Sequence, residues 1–290
     1  MINLVDTLLQ GSLLGGRYAL MALGLSLAFG IMRLVNIAHG DFIVLAAYLA
    51  LVTVQALGLH PLAALLIVVP ILALLGYAVQ RGLLNRAVAR DIMPALLITF
   101  GLSVIIQNGL LEVFSADSRR LQAGNLSSIG LSLGEGVSIG WFPLMTLLIA
   151  ALVIAGLEQF LRRTRLGRAF RAVSDDPEIV QLMGYDPHHI YALAMAVAFA
   201  TVGIAGVLFG IGTIFDPALG PPQLLFAFEA VIIGGLGSLW GTLAGAMVLG
   251  VAQAIGFRVD PGWGILFGHV AFLVILAVRP QGLFPRTRDA

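Results

Sequence analysis

The chain contains no cysteine and no lysine, and each absence excludes a class of functional site. Without thiols there can be no disulfide, no thiolate metal centre and no cysteine nucleophile. Without lysine there can be no P-loop of the form GxxxxGK[ST], because that motif uses its lysine to hold the nucleotide phosphates. Any ATP-driven activity therefore requires an ATPase on a different polypeptide.

Charged residues are also scarce. Only 11% of the 290 residues are charged and 59% are hydrophobic, whereas a soluble domain carries about a quarter charged residues. Apolar runs long enough to cross a bilayer as helices recur along the whole chain. The sequence therefore predicts an all-α fold, a polytopic transmembrane helical bundle forming a single domain over residues 1–290. We expect apolar segments at 4–31, 37–57, 61–83, 92–113, 142–161, 188–213, 224–257 and 263–278.

The seventh apolar segment, 224–257, differs from the others in length. As one helix it would be about 50 Å long, against a hydrocarbon core of about 30 Å. Its middle contains Gly234, Gly235, Gly237 and Gly241, and such a cluster interrupts a helix. We predict two shorter helices that enter the membrane and return to the same side.

The arginines predict the orientation of the bundle. With the N-terminus outside, the returning pair leaves only Arg119, Arg120 and Arg258 in the outside loops and makes the C-terminus cytoplasmic. The excess of arginines in the inside loops over the outside loops follows the positive-inside rule. If segment seven crossed the membrane only once, this excess would be smaller. The arginines then expected inside are Arg33, Arg81, Arg86, Arg90, Arg162, Arg163, Arg165, Arg168, Arg171, Arg279, Arg286 and Arg288.

A polar loop, residues 162–189, interrupts the apolar sequence. In its middle, Asp175 and Asp176 precede Pro177 and Glu178. An aspartate can cap the first N–H groups of a helix, proline fits the first turn, and glutamate favours the positive end of the helix dipole. These residues predict the start of a short helix.

The other end and the surface of this short helix can also be predicted. Gly184 is placed as its C-terminal stop. Ile179, Leu182 and Met183 share one face at i, i+3 and i+4 spacing. So short a helix is not stable alone in water. The helix either couples the protein to a partner ATPase through its apolar face, or lies on lipid or on its own bundle.

Arg17 and Glu229 are ionisable residues within apolar segments, where they are expected to face protein, water or a ligand. Arg17 either faces the pore and meets an anionic group of the substrate, or extends to the outer interface if its helix starts late. Glu229 could pair with an arginine, accept backbone N–H bonds or line the pore. Of these, we favour a structural hydrogen bond.

Asn36, His39 and Asp41 follow the first apolar segment. A lone histidine and aspartate lack the further ligands of a metal site, so we expect these residues to satisfy a tight turn, with Asp41 capping the next helix. No catalytic grouping is visible, which indicates a protein that is not an enzyme and binds no metal. The three residues join Arg17 and Glu229 as candidates for the substrate path.

Four passages together resemble a known family. They are residues 15–50, with the VNIAHGDF block; 165–210; 228–250, with the GGLGSLWGTLAGA block; and the terminal RPQGLFPR at 279–286. They are similar to the permease subunits of branched-chain amino-acid ABC importers, the shorter, H-type member of the permease pair. The resemblance spans nearly the full length of the chain.

The resemblance implies a non-catalytic subunit of a bacterial inner-membrane importer, surrounded by lipid. It implies a second, homologous M-type permease or a second copy, two cytoplasmic ABC ATPases and a periplasmic binding protein, with neither a cofactor nor a nucleic acid. An ATPase would dock on residues 174–184.

The resemblance leaves the solute open. It implies branched-chain amino acids, or urea, amides, or aromatic or dicarboxylic acids, which related importers carry. Arg17 stands where the common pattern has an uncharged residue, which leans towards an acidic solute. A secondary transporter is the alternative mechanism, since broken helices occur there too, and a passive channel is a third.

Overall fold

The structure is a computed structural model that describes residues 4–88, 92–127, 129–132 and 138–284. Within these ranges, eight helices are long and apolar enough to cross a membrane, and a ninth apolar helix is shorter. The prediction of an all-α polytopic bundle is confirmed. The helices are α1 (Leu4–Met32), α2 (His39–Leu57), α3 (Leu65–Val79), α4 (Asn85–Val88), α5 (Ile92–Phe114), α6 (Trp141–Arg163), α7 (Arg165–Asp175), α8 (Pro177–Leu182), α9 (Pro187–Gly212), α10 (Gly220–Gly234), α11 (Leu239–Val259) and α12 (Gly264–Val278).

Smaller features lie between these helices, among them two 3-10 helices, Gly124–Ser127 and Pro217–Leu219. A π-helical turn, Gln80–Leu84, joins α3 to α4. Between α5 and α6, strands β1 (Gly130–Ser132) and β2 (Ser138–Gly140) form an antiparallel pair in which Leu131 lies opposite Ile139.

The core of the bundle is built around α1. This helix and α9 are the most buried of the eight spans, whereas α5 and α6 are the least buried. Glycines let α1 and α11 touch backbone to backbone: a Cβ added to Gly15 would lie 2.5 Å from the Cα of Met247. Such small residues are the usual means by which helices approach closely within a membrane.

The bundle has two ends, which we name by one residue each. At the Asp6 end, where α1 begins, the Asp6 carboxylate pairs with Arg258 at the end of α11. At the Arg162 end, the ends of α1 and α6 meet α7 and Gly237 around one cavity. The predicted inside arginines 90, 286 and 288 lie outside the described residues.

The returning helix pair is confirmed. α10 stops at Gly234, and Gly235 and Gly237 adopt φ angles of 103° and 78°, values that favour glycine. Ser238 caps α11 by accepting a hydrogen bond from the N–H of Gly241, at 3.1 Å. The two helices then pack against each other, with the α-carbon of Gly245 so close to α10 that an added Cβ would lie 2.3 Å from a carbonyl oxygen.

The first helix of this pair is longer than predicted. It begins at Gly220 rather than at residue 224, because prolines occupy its first turn. The N–H groups that proline lacks are not needed there.

Candidate functional site

The short helix α8 starts at the predicted residues. Asp176 is its N-cap: Oδ1 accepts hydrogen bonds from the N–H groups of Glu178, at 2.9 Å, and Ile179, at 3.0 Å. Pro177 occupies the first turn. Asp175 is the last residue of α7 rather than the cap. The local sequence alone therefore specifies where α8 begins.

The end of α8 is also as predicted. Gly184 has a φ of 85°, and its N–H donates to the carbonyl of Gln181 at 3.0 Å. The N–H of Tyr185 reaches back to the carbonyl of Val180 at 3.3 Å. This pair of bonds is a Schellman motif, in which the left-handed glycine satisfies the last carbonyls of the helix.

One face of α8 is apolar and uncovered. The side chains of Ile179, Leu182 and Met183 are 56%, 88% and 69% exposed, and Tyr185 beside them is 59% exposed. Val180, on the opposite side, is buried and fixes α8 to the bundle. We call the four exposed residues the α8 face. Because they do not pack on the bundle, they are available to a second surface.

Sequence reasoning missed the helix that precedes α8. Thr164 caps α7 by accepting a bond from the N–H of Gly167, at 3.0 Å. Gly167, Phe170 and Val173 are buried at three-residue spacing, which leaves Arg165 and Arg168 exposed. A capping threonine followed by this spacing was the signal that could have revealed α7.

An ion pair links the loop between α8 and α9 to a neighbouring span. Asp186 caps α9 through the N–H of His188, at 3.0 Å. Its carboxylate also accepts a hydrogen bond from Arg81, at 2.8 Å. The hydrogen bond from the Arg81 guanidinium lowers the pKa of Asp186 below its usual value. The start of α9 is thereby joined to the π-helical turn after α3.

Asn36 satisfies the turn between α1 and α2, as expected, whereas the side chain of His39 contacts α1 instead of the turn. The side-chain oxygen of Asn36 accepts a bond from the N–H of Ala38, at 3.1 Å. His39 Nε2 lies 2.7 Å from the carbonyl oxygen of Met21. Met21 is well inside α1. The chain between α1 and α2 therefore runs back alongside α1, and α2 begins within the bundle and not at its end.

The prediction that Asp41 caps α2 is wrong. The N-cap is Ala38, and Asp41 lies in the first turn, because α2 begins earlier, at His39. Asp41 instead lies against the start of α10, where a Cβ added to Gly220 would be 1.8 Å from Oδ1. Only a glycine at residue 220 allows the starts of these two helices to meet.

Glu229 is paired with a histidine, not with an arginine. Its Oε1 lies 2.5 Å from Nδ1 of His269 on α12, and the Glu229 side chain is 2% exposed. Its Oε2 is buried and has no partner within the described residues. The favoured hydrogen bond exists, but its partner could not be identified from sequence because it is 40 residues away.

Arg17 lies well inside α1, so the idea that its helix starts late is wrong: α1 begins at Leu4. The guanidinium bonds Oγ1 of Thr213, just past the end of α9, at 2.7 Å. The side chain is half-buried. Arg17 is therefore held by the protein on one side while part of it stays accessible.

The five substrate-path candidates do not form one cluster. Asn36, His39 and Asp41 lie around the start of α2, whereas Arg17 and Glu229 have separate partners. Within the part of the chain that the structure describes, no group of three or more His, Asp or Glu side chains could hold a metal ion.

Comparison with known proteins places these features in a family. Residues 7–278 match the family model described as branched-chain amino acid transport system / permease component. The chain is 30% identical to the high-affinity branched-chain amino acid transport system permease protein BraD of Pseudomonas aeruginosa, over 97% of this chain and 96% of the relative.

Two further relatives come from Escherichia coli K12. The permease protein LivH is 26% identical over 97% of this chain and 96% of its own length. The permease protein LivM is 25% identical over 93% of this chain and 68% of its own length. Relatives of both types indicate that branched-chain transport systems contain a pair of permeases. The chain described here belongs to the family of permease components of branched-chain amino acid transport systems.

Proposed function

We propose that this chain forms half of the translocation pore of a binding-protein-dependent ABC importer in a bacterial inner membrane. A homologous M-type permease, or a second copy of this chain, completes the pore, and two cytoplasmic ATPases drive it. The α8 face is the observation that carries the proposal, because it offers an uncovered apolar surface on a helix too short to exist alone. In this scheme the chain itself hydrolyses nothing.

The arginines support an orientation with the Arg162 end in the cytosol. The last turn of α6 carries two of them and α7 carries three, whereas Arg258 is at the Asp6 end. Positive residues are retained on the cytoplasmic side. The N-terminus is then outside, and the binding protein delivers solute to the Asp6 end.

The contacts of α8 suggest how force would enter the membrane. A partner that pushes on α8 moves Gly184 and Asp186, which lead directly into α9. The Arg81 side chain couples that movement to the end of α3. On the other side, α7 continues from α6 with only Thr164 between them. The pore would open outward and inward as the ATPases close and separate.

The relatives' names support branched-chain amino acids as the solute. The solutes of related importers, namely urea, amides and aromatic or dicarboxylic acids, are the second possibility. Identifying the ligand of the cognate binding protein distinguishes them.

Substitutions at the most exposed residue of the α8 face test the proposal. Leu182→Asp should abolish substrate-stimulated ATP hydrolysis in the reconstituted complex while the permease still inserts, because a buried unpaired charge at the interface is strongly unfavourable. Leu182→Met keeps an apolar side chain of similar volume and should retain stimulation. Full stimulation in the aspartate variant would refute docking through this face.

A further inference from the structure

A cavity of about 400 Å³ lies at the Arg162 end, enclosed by α1, α6, α7 and the start of α11. It is separate from the α8 face and from the buried polar groups described above. Its lining is part polar and part apolar, so a ligand that fits it must have both a polar and an apolar part.

The charged side of the cavity is basic. Arg171 lines it and is half-buried, and no ion pair joins Arg171 to a carboxylate within the described ranges. Arg162 also lines it, and its charge is balanced by Glu158 at 2.5 Å. The Glu158 carboxylate accepts a further hydrogen bond from the indole of Trp240. Arg171 therefore adds positive charge to the lining of the cavity.

The start of α11 adds to this positive character. Ser238 and Leu239, the cap and first residue of that helix, line the cavity. The first N–H groups of a helix have no partner within it and carry partial positive charge. Together with Arg171, they favour an anion with several acceptor oxygens.

The remaining wall is apolar. Leu27 and Phe170 line it but are almost fully buried by the protein. Leu161 in the same lining is half-buried, and Trp240 is 47% exposed. Tryptophan is enriched where a membrane meets water. A phosphate ion would leave the exposed parts of Leu161 and Trp240 uncovered, whereas a lipid would cover them with its glycerol backbone and the first carbons of its acyl chains.

We propose that this cavity binds the head group of an anionic phospholipid, with its phosphate against Arg171 and the start of α11. Basic pockets between spans are known to take such head groups. The lipid would join α7, which precedes α8, to the returning helix pair. The inference does not depend on which solute is carried.

Binding of defined lipids to the delipidated full chain in neutral detergent tests the proposal. Phosphatidylglycerol should bind more tightly than phosphatidylcholine, as measured by native mass spectrometry. Arg171→Gln should weaken phosphatidylglycerol binding roughly fivefold, the effect expected of one basic residue near an anionic head group. Arg165→Gln, an exposed arginine of the same helix that does not line the cavity, should leave binding unchanged.

Two control experiments test whether the ligand is a lipid or a free phosphate ion, and whether the Arg171 variant is still folded. Inorganic phosphate that competes as well as the lipid at equal concentration would show an ion site and overturn the lipid assignment. Arg171→Lys keeps the charge and should restore most of the affinity. Equal binding of phosphatidylglycerol by the wild type and a folded Arg171→Gln protein, judged by its unfolding midpoint, would also overturn it.

Discussion

Arg81 and Asp186 lie 105 residues apart in sequence, yet their side chains meet at 2.8 Å. One belongs to the turn that follows α3, and the other is the cap of α9, four residues after the end of α8. The pair joins the loop that follows the proposed docking helix to a second span. It therefore provides a route by which displacement of α8 would reach two helices together.

Breaking this pair should affect coupling more than folding. Surface ion pairs add little to stability, so Arg81→Gln should leave the unfolding midpoint of the permease unchanged. It should lower the transport rate per ATP hydrolysed, because α3 would no longer follow α9. Arg81→Lys keeps a cation beside Asp186 and leaves the cap of α9 in place, so it should recover part of the loss. Unchanged coupling in Arg81→Gln would exclude the pair from force transmission.

The returning helix pair should not tolerate a side chain at Gly245. A Cβ there would lie 2.3 Å from the carbonyl oxygen of Ala230, so Gly245→Ala must separate α10 from α11. Overpacking of this kind costs about 1–3 kcal/mol, which a lowered unfolding temperature in detergent should reveal.

Gly101 provides the matched control for that substitution. It lies in α5, where an added Cβ would meet nothing within 4 Å. Gly101→Ala should therefore be neutral or slightly stabilising, since alanine favours helix more than glycine does. Equal unfolding temperatures of the two alanine variants would contradict the close packing of the pair.

The Glu229–His269 contact predicts a non-additive pair of substitutions. His269→Leu removes the described partner of a carboxyl group that is 2% exposed, and an unsatisfied buried group costs about 1–3 kcal/mol. Glu229→Leu combined with His269→Leu removes both polar groups and should be less destabilising than His269→Leu alone. Thermal unfolding of the three variants measures this coupling, and strict additivity would argue against it.

Arg17 can be tested for contact with the solute. If its accessible part meets a carboxylate, Arg17→Gln should lower uptake of carboxylated solutes and spare uncharged ones. Thr213→Val removes the acceptor of the Arg17 hydrogen bond but keeps the charge, so its uptake should stay selective for carboxylated solutes. If the Arg17→Gln variant takes up both solute classes at the wild-type rate, Arg17 does not contact a carboxylate of the solute.

What the sequence predicts well in this protein is local. The start and stop of α8 depend on Asp176, Pro177 and Gly184, which act on backbone groups a few residues away. The break between α10 and α11 depends in the same way on glycines that alone adopt its φ angles easily. Span lengths follow from the bilayer itself.

What the sequence does not reveal depends on distant partners. Nothing near Glu229 indicates that its partner is on α12, and nothing near His39 indicates that it reaches a carbonyl in the middle of α1. Asp41 has the residue type of a helix cap, but the contact between Gly40 and Gly220 determines its surroundings. Such contacts arise only when the helices pack.

The central claim is that the α8 face lies in the cytosol and is covered by an ATPase. Because the chain has no cysteine, Leu182→Cys introduces a unique thiol at the centre of that face. A membrane-impermeant maleimide should label it in inside-out vesicles and not in right-side-out vesicles, and assembly with the ATPases should protect it. Labelling from the periplasmic side, or equal labelling with and without the ATPases, would contradict the account.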